Sequence, residues 1–198
     1  MLTALLDNKE HSHSNAMRII TGKYKGRSFD VPRTFKARPT TDFAKENIFN
    51  VVRQHIDFEG ATALDLFSGT GSISLELLSR GCNQVISVEM DRDHHRFITS
   101  CLQKLGDKNC TPIRGDVFRF IKACKLQFDF IFADPPYQLE NLATLPQLIM
   151  HTEGRQLLKS EGIFVLEHGK NYDFSDDDCF IDHREYGSVN FSLFKSKQ

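Results

Sequence analysis

The stretch LDLFSGTG, residues 64–71, decides the fold. Its first half continues an apolar run that begins at Ala61, and its second half holds two glycines ahead of a run with helical spacing. A short buried strand, a glycine turn and a helix form the first unit of sheets that bind a ligand beyond their carboxyl ends. We therefore expect Asp65 and the two glycines to border a ligand.

The strand and helix pattern repeats along the chain. Further strands are predicted at 84–89, 111–114, 128–133 and 162–167, and helices at 91–105, 116–125 and 140–151. Regular alternation of this kind predicts an α/β protein with a mostly parallel sheet and helices on both faces. Two final β-prone runs, 179–186 and 188–195, meet at a short turn and predict an antiparallel edge.

The N-terminal part divides differently. We expect residues 1–16 to be a leader or an expression-derived segment, with Met17 as the natural start. Residues 17–40 are predicted to form a basic hairpin and a loop, with the hairpin over 18–31. A helix to about His55 is expected from Thr41 or Asp42, and residues 41–198 form the main domain.

Charge is distributed unevenly. Residues 17–53 hold nine basic and three acidic side chains, a net charge of +6, whereas the whole chain has −1. A basic stripe on an acidic body indicates a polyanion partner, although a solvated surface with no partner has the same composition. The residues expected to bind such a partner are Arg18, Lys23, Lys25, Arg27, Arg38, Thr40 and Thr41.

Composition excludes several classes of protein. The five cysteines are odd in number and none is spaced C-x-x-C, which argues against disulfides or a zinc site and favours a reducing cytoplasm. No apolar run approaches the roughly 18 residues that span a membrane. No metal is expected, because His94 and His95 have no ligand at metal-binding spacing.

Acidic residues stand at successive strand ends. Asp65, Glu89 and Asp116 can each be a helix cap, but together they predict a site for a cofactor with a cationic end, a ribose and an adenine. Ser74 stands where a dinucleotide loop has its third glycine. The carboxylate of Asp65 would repel a pyrophosphate but attract a cationic amino acid or sulfonium, which favours S-adenosylmethionine over NAD. The residues expected to bind it are Asp65, Phe67, Gly69, Gly71, Glu89, Met90, Asp116 and Val117.

The fourth strand ends in the elbow FADPPYQ, residues 132–138. Two prolines fix the backbone and remove two N–H donors, so Asp134 and a proline carbonyl are presented as acceptors in fixed directions. Together they can hold both hydrogens of an exocyclic amine while Tyr137 stacks on its ring. We expect Asp134, Pro135, Pro136 and Tyr137 to be catalytic. A plain turn after a strand is the alternative.

These motifs together resemble the RsmD-type 16S ribosomal RNA guanine-N2 methyltransferases. The matching pieces are R-P-T-T-D (38–42), L-D-L-F-S-G-T-G (64–71), V-E-M-D (88–91), D-P-P-Y (134–137) and G-S-V-N-F-S-L-F (187–194). The resemblance implies a Rossmann-like methyltransferase fold, with seven strands and an antiparallel last strand. It implies S-adenosylmethionine as methyl donor and a guanine of 16S ribosomal RNA as target, and the partner is this RNA, either free or within an assembling small subunit.

Three other functions were weighed against this pattern. A DNA amino-methyltransferase would use the same elbow, but no segment after it is long or basic enough to recognise a DNA target. A non-catalytic RNA-binding module would explain the basic stripe but not the acids at the strand ends. An NAD-dependent oxidoreductase would have no use for the elbow.

Overall fold

Strands and helices alternate along most of the chain in the computed structural model, which describes residues 16–35, 41–150 and 156–196. The strands are β1 (Ala16–Arg18), β2 (Ser28–Asp30), β3 (Thr62–Leu66), β4 (Gln84–Glu89), β5 (Cys110–Arg114), β6 (Phe128–Ala133), β7 (Leu158–His168), β8 (Phe180–Tyr186) and β9 (Val189–Lys195). The α-helices are α1 (Asp42–Val52), α2 (Ser72–Ser79), α3 (Arg92–Leu105), α4 (Val117–Ala123) and α5 (Leu145–Met150).

Seven of the described strands form one sheet in the order β5-β4-β3-β6-β7-β9-β8, and β1 pairs with β2 in a separate hairpin. The pairs β3–β4, β3–β6, β4–β5 and β6–β7 are parallel, whereas β9 is antiparallel to both of its neighbours. The α/β fold predicted from the sequence is therefore confirmed, including the antiparallel last strand. That strand lies inside the sheet, between β7 and β8, so β8 forms the edge.

Alternating side chains give the sheet two apolar faces. Ala63 of β3 packs in the layer that holds α1, α2, α3 and the hairpin, whereas Leu64 packs in the layer that holds α4 and α5. The β6 side chains alternate in the same way, with Phe130 on the first side and Ile131 on the second. Helices on both faces explain why these strands have nearly continuous apolar sequences.

Some boundaries differ from the sequence prediction. Strand β7 begins at Leu158 rather than 162, because a shift of register against β6 and a left-handed Glu161 (φ 64°) carry the pairing through polar residues. The helix expected over 140–151 is a 3₁₀ turn, Leu142–Thr144, followed by α5. Pro146 explains this start, since proline is accommodated in the first turn of a helix but not in its interior.

The N-terminal hairpin is fixed to helix α2 through a buried carboxylate. Glu76 is fully buried and accepts hydrogen bonds from the backbone N–H groups of Ile20 (2.8 Å) and Thr21 (3.0 Å). It also pairs with Arg80 at 3.0 Å. Three donors to one buried carboxylate offset its desolvation, so the hairpin and α2 stabilise each other.

A buried lysine joins the hairpin to the glycine loop. The side chain of Lys45 on α1 is 1% exposed, and its Nζ donates to the Arg18 carbonyl (2.6 Å) and to Ser72 Oγ (2.9 Å). Burial lowers the pKa of Lys45, while the carboxylates of Glu76 and Asp42 oppose that shift. Three separate segments of the chain therefore meet at one ammonium group beside the loop.

The close contact between Gly22 and α2 predicts that a side chain at position 22 would weaken the packing of the hairpin on this helix. A Cβ at Gly22 would overlap the Ser79 carbonyl, whereas a Cβ at Gly26 would meet no atom within 4 Å. Both glycines have positive φ, +87° and +82°, so alanine costs about 1–2 kcal/mol of strain at either position. Gly22→Ala should additionally release the hairpin, and amide hydrogen exchange over residues 16–31 should accelerate.

Gly26→Ala is the matched control, because it carries the strain without the overlap. Its exchange over the hairpin should stay close to that of the wild type. Equal acceleration in both variants would mean that strain alone, and not the contact with Ser79, determines docking.

Candidate active site

Three buried or half-buried acids meet at the carboxyl ends of three neighbouring strands. Asp65 of β3 pairs with Phe132 of β6, and the pairing of Ala133 with Leu166 puts Asp134 beside Glu167 of β7. Because side chains alternate, all three acids lie on the face that is covered by α1 and α2. The site therefore gathers three carboxyl groups whose charged form a cationic ligand would stabilise.

Asp65 is held against the first turn of α2. Its Oδ2 accepts from the backbone N–H of Ser74 (3.0 Å) and from Ser74 Oγ (2.5 Å), and the residue is 1% exposed. Burial raises the pKa of Asp65 to about 7, although the hydrogen bonds from Ser74 lower it. Serine at the position of a third glycine thus has a specific partner, the carboxyl group expected to bind the cofactor.

The loop between β3 and α2 is shaped by left-handed residues. Gly69 and Gly71 have φ values of 53° and 77°, and Phe67 adopts φ 59° despite its side chain. Such a conformation is costly for an aromatic residue and is characteristic of functional turns. A Cβ at Gly71 would also lie 2.8 Å from Ile98 Cγ1, so the loop passes close to α3.

Glu89 ties this loop to the end of β4. Its Oε2 accepts from the Gly69 N–H at 2.7 Å, and its Oε1 accepts from the Asp91 N–H at 2.8 Å. The half-buried carboxylate therefore orders the loop. Each oxygen retains a second lone pair that a ribose hydroxyl can use.

The acid at the end of β5 caps a helix. Asp116 is the N-cap of α4, and its Oδ1 accepts from the Arg119 N–H at 2.9 Å, as the capping interpretation predicted. It is nevertheless half-exposed at the same edge of the sheet as Glu89. Met90 is 69% exposed, whereas Val117 is buried, so only Met90 presents a full apolar side chain to solvent.

The elbow brings the hydroxyl of an exposed tyrosine close to Glu167. The Asp134 N–H donates to the Leu66 carbonyl at 3.3 Å, and the Pro136 carbonyl accepts from the Leu139 N–H at 2.8 Å. Tyr137 is 54% exposed, and its hydroxyl lies 3.5 Å from Glu167 Oε1. Burial and the nearby Glu167 raise the pKa of Asp134 well above its ordinary value, and raise the pKa of Tyr137 to about 12.

Sequence reasoning missed Glu167. It lies inside the run predicted as the fifth strand, where an acid at the end of an apolar strand resembles a surface residue. The structure shows it 4% exposed. The sequence carried one signal for it. Glu167 stands at the end of an apolar run, as Asp134 stands at the end of the apolar run of β6.

The expected RNA-binding residues that the structure describes fall into two groups, near opposite ends of α2. The Arg18 guanidinium lies at the start of α1, paired with Asp42 at 3.0 Å. Lys23 pairs with Asp107 at 3.0 Å, and Arg27 donates to the Lys104 carbonyl at 3.1 Å. Lys104 lies in the last turn of α3 and Asp107 follows that helix, so both lie beyond the amino ends of the parallel strands, opposite to the acids.

This separation follows from the course of the hairpin. Arg18 is joined through Lys45 to Ser72, the first residue of α2. The backbone N–H of Tyr24 instead donates to Oγ of Ser79, the last residue of that helix. An eight-residue helix is about 12 Å long. Lys25 is exposed near the same far end.

Of the two predicted threonines, the structure describes Thr41. Thr41 Oγ1 accepts from the Ala44 N–H at 3.2 Å, so this side chain caps α1. Arg38 and Thr40 lie outside the described residues.

Other predicted features were an absence of metal and of disulfides. Within the described ranges no group of three or more histidine, cysteine, aspartate or glutamate residues could hold a metal ion. All five cysteines lie among the described residues, where they are buried and form no disulfide. No described helix is long and apolar enough to cross a membrane.

Comparison with known proteins identifies a family. The family described as conserved hypothetical protein 95 matches residues 17–195. A relative from Escherichia coli K12, named ribosomal RNA small subunit methyltransferase D, is 34% identical over 157 residues, which cover 79% of this chain and 77% of the relative.

Solved structures share the fold. The structure of yhhF from Escherichia coli superposes with a TM-score of 0.79 at 26% identity, covering 92% of this chain and 98% of that one. A Thermus thermophilus 16S rRNA N2 G1207 methyltransferase, solved with AdoMet and guanosine, gives a TM-score of 0.67 at 17% identity. It covers 91% of this chain and 49% of that one, and at this identity it shows the fold alone.

The buried Asp65 predicts a pH dependence of stability. Its pKa is raised to about 7 in the folded protein from about 4 when unfolded, so between these values the folded state holds the extra proton. The free energy of unfolding should therefore fall as pH rises from about 4 to about 7, by a few kcal/mol at most from this group. Urea unfolding of wild type and Asp65→Asn at pH 4.5 and 8 measures the difference.

In Asp65→Asn this contribution should vanish, and the variant should gain stability over the wild type on moving from pH 4.5 to pH 8. An unchanged difference between the two proteins at both pH values would show that Asp65 ionises normally in the fold.

Proposed function

Because the chain belongs to the family of conserved hypothetical protein 95, we propose that it transfers a methyl group from S-adenosylmethionine to the N2 amine of a guanine in 16S ribosomal RNA. The observation that carries the proposal is the pairing of the elbow with the glycine loop. Asp134 and Asp65 interact electrostatically, on one face of adjacent strands. An amine acceptor and a cofactor-binding acid are therefore neighbours.

The residues of the loop suit the proposed methyl donor. The buried carboxyl of Asp65 would pair with the methionine ammonium, and Glu89 would accept from the ribose hydroxyls. Asp116 would accept from the adenine amino group, with Met90 and Val117 beside the ring. Phe67, Gly69 and Gly71 would let the backbone approach closely. When bound, S-adenosylmethionine supplies a methyl group on a positively charged sulfur.

The elbow would hold the target amine. Asp134 and the Pro135 carbonyl accept its two hydrogens, while the exposed ring of Tyr137 stacks on the guanine. Pro136 keeps the backbone direction fixed, and its own carbonyl already closes the turn with Leu139. Held in this way, the nitrogen lone pair would be directed out of the ring system and available to accept the methyl group, and positioning would provide much of the rate.

Proton removal falls to Asp134. As the new N–C bond forms and the C–S bond breaks, the nitrogen becomes acidic and its proton passes to the carboxylate, directly or through water. The sequence suggested that an ordinary carboxyl pKa would suffice. In the structure the pKa of Asp134 is raised by burial and by Glu167, which makes the carboxylate a stronger base.

The substrate would reach the site as an unstacked base. Flipping a base costs a few kcal/mol and is cheapest in a loop. Phosphates would lie along the hairpin, with Arg18 near the site and Lys23, Lys25 and Arg27 about 12 Å away along α2. Arg38, Thr40 and Thr41 would belong to the same RNA-binding segment. We place the reaction in the cytoplasm, on RNA that is free or within an assembling small subunit.

The domain division supports the same role. Residues 17–40 would dock RNA and residues 41–198 would carry the chemistry. Glu76 and Lys45 connect them, so RNA docking is coupled to the glycine loop.

Substitutions at the elbow test the mechanism. Asp134→Ala should abolish methyl transfer to small-subunit RNA, a loss of at least 100-fold, with nearly unchanged binding of S-adenosylmethionine. Asp134→Asn should retain some activity, because an amide oxygen still accepts one hydrogen bond. Single-turnover transfer of a labelled methyl group and calorimetry measure the two quantities.

Tyr137 provides the internal control. Tyr137→Phe should be mild and Tyr137→Ala severe, because stacking requires the ring and not the hydroxyl. Transfer by Asp134→Ala at the wild-type rate would make the elbow a simple turn. Wild-type transfer to DNA but not to RNA would support the rival DNA amino-methyltransferase.

Lys25 and Arg27, at the tip of the N-terminal hairpin, predict how RNA binding depends on salt. Replacing both Lys25 and Arg27 by glutamine should reduce the slope of log affinity against log salt by about two at most, because two phosphate contacts are lost. The matched control is Arg119→Gln with Lys125→Gln, which removes two exposed charges around α4 on the opposite face.

The control pair should leave the slope unchanged. An unchanged slope in the Lys25 and Arg27 variant as well would mean that the tip faces away from the RNA.

A further inference from the structure

Glu167 is the acid of the site that the transfer mechanism above does not use directly. It stands beside Asp134 on the neighbouring parallel strand, one residue beyond the pairing of Ala133 with Leu166. Neighbouring strands lie about 4.8 Å apart, and both side chains point to the same face. The site therefore offers two acceptors side by side, and only one of them is needed for an amine.

The hydrogen-bonding edge of guanine matches this pair. Its N2 amine lies next to N1–H, so two adjacent groups both donate. In adenine and cytosine the ring nitrogen next to the amine is an acceptor, which a carboxylate would repel. A second carboxylate beside the amine acceptor thus distinguishes guanine from every other amino base.

We propose that Glu167 selects guanine by accepting a hydrogen bond from N1–H while Asp134 holds the N2 amine. This inference rests on the proposed function and deepens it. It assigns Glu167 as a specificity-determining residue and Asp134 as the residue of the transfer step.

Tyr137 fixes the position of Glu167 relative to the base. The tyrosine hydroxyl is 3.5 Å from Glu167 Oε1, so the carboxyl reaches the rim of the ring on which the base would stack. A base that overlaps the ring brings its own edge close to the same carboxyl. Glu167 is only 4% exposed, so water competes little for its oxygens and a missing donor would be costly.

A substrate analogue separates selection from catalysis. 2-Aminopurine retains the N2 amine but has an acceptor at N1, so it cannot make the proposed hydrogen bond to Glu167. The RNA would be the shortest 16S fragment that the wild type methylates, with either guanine or 2-aminopurine at the mapped target. Single-turnover rates at equal S-adenosylmethionine saturation give the preference for guanine.

We expect the wild type to prefer guanine by about ten- to a hundred-fold, the usual discrimination of a well-placed base contact. In Glu167→Gln the preference should fall close to one, because an amide can accept from N1–H or donate to N1. Binding of S-adenosylmethionine should stay unchanged in this variant. 2-Aminopurine also lacks O6, but any selection at O6 would persist in Glu167→Gln. The change in guanine preference between the wild type and Glu167→Gln therefore reports on the N1–H contact alone.

Glu161→Gln is the matched control, because it makes the same exchange on β7 at an exposed carboxylate that pairs with Lys195. It should retain the preference for guanine. A preference kept in Glu167→Gln, or lost in Glu161→Gln, would overturn the role of Glu167. So would equal wild-type rates on both bases, although guanine methylation itself would then stand. A wild type that methylates no guanine RNA would instead refute the proposed function.

Discussion

The parallel register of β3, β6 and β7 is the constraint on which the site depends. Each strand ends at the same edge, and the two-residue period turns Asp65, Asp134 and Glu167 to the same face. A slip of one residue in either pairing would move one acid to the opposite face, among the apolar side chains of α4 and α5. The site is thus a consequence of sheet register rather than of loop placement.

Burying these acids close together costs electrostatic free energy, which a ligand of complementary charge would offset. Burial raises the pKa of Asp65 to about 7, and burial with Glu167 raises that of Asp134. A cationic donor and an amine with two hydrogens would each compensate one of these acids. The same acids that lower the stability of the free protein at neutral pH therefore favour binding of the proposed substrates.

The fold and part of the site could be predicted because they leave local signals. Strand β6 ends where Asp134 and two prolines end the apolar run, and α3 with its N-cap Asp91 fills the run 91–105 that was predicted as a helix. The partners of Glu167, Lys45 and Glu76 could not be predicted, since they are distant in sequence. A buried charge is recognised only when its partners are known. The route of the hairpin along α2 likewise separates basic residues that are close in sequence.

The modification state of 16S ribosomal RNA in cells that lack this protein tests the central claim most directly. Mass spectrometry of RNA fragments should show one guanine that loses a single methyl group at N2. Expression of the wild-type chain should restore that methyl group, whereas expression of a folded Asp134→Ala chain should not. An unchanged set of N2-methylguanines in the deleted strain, or restoration by Asp134→Ala, would contradict the account.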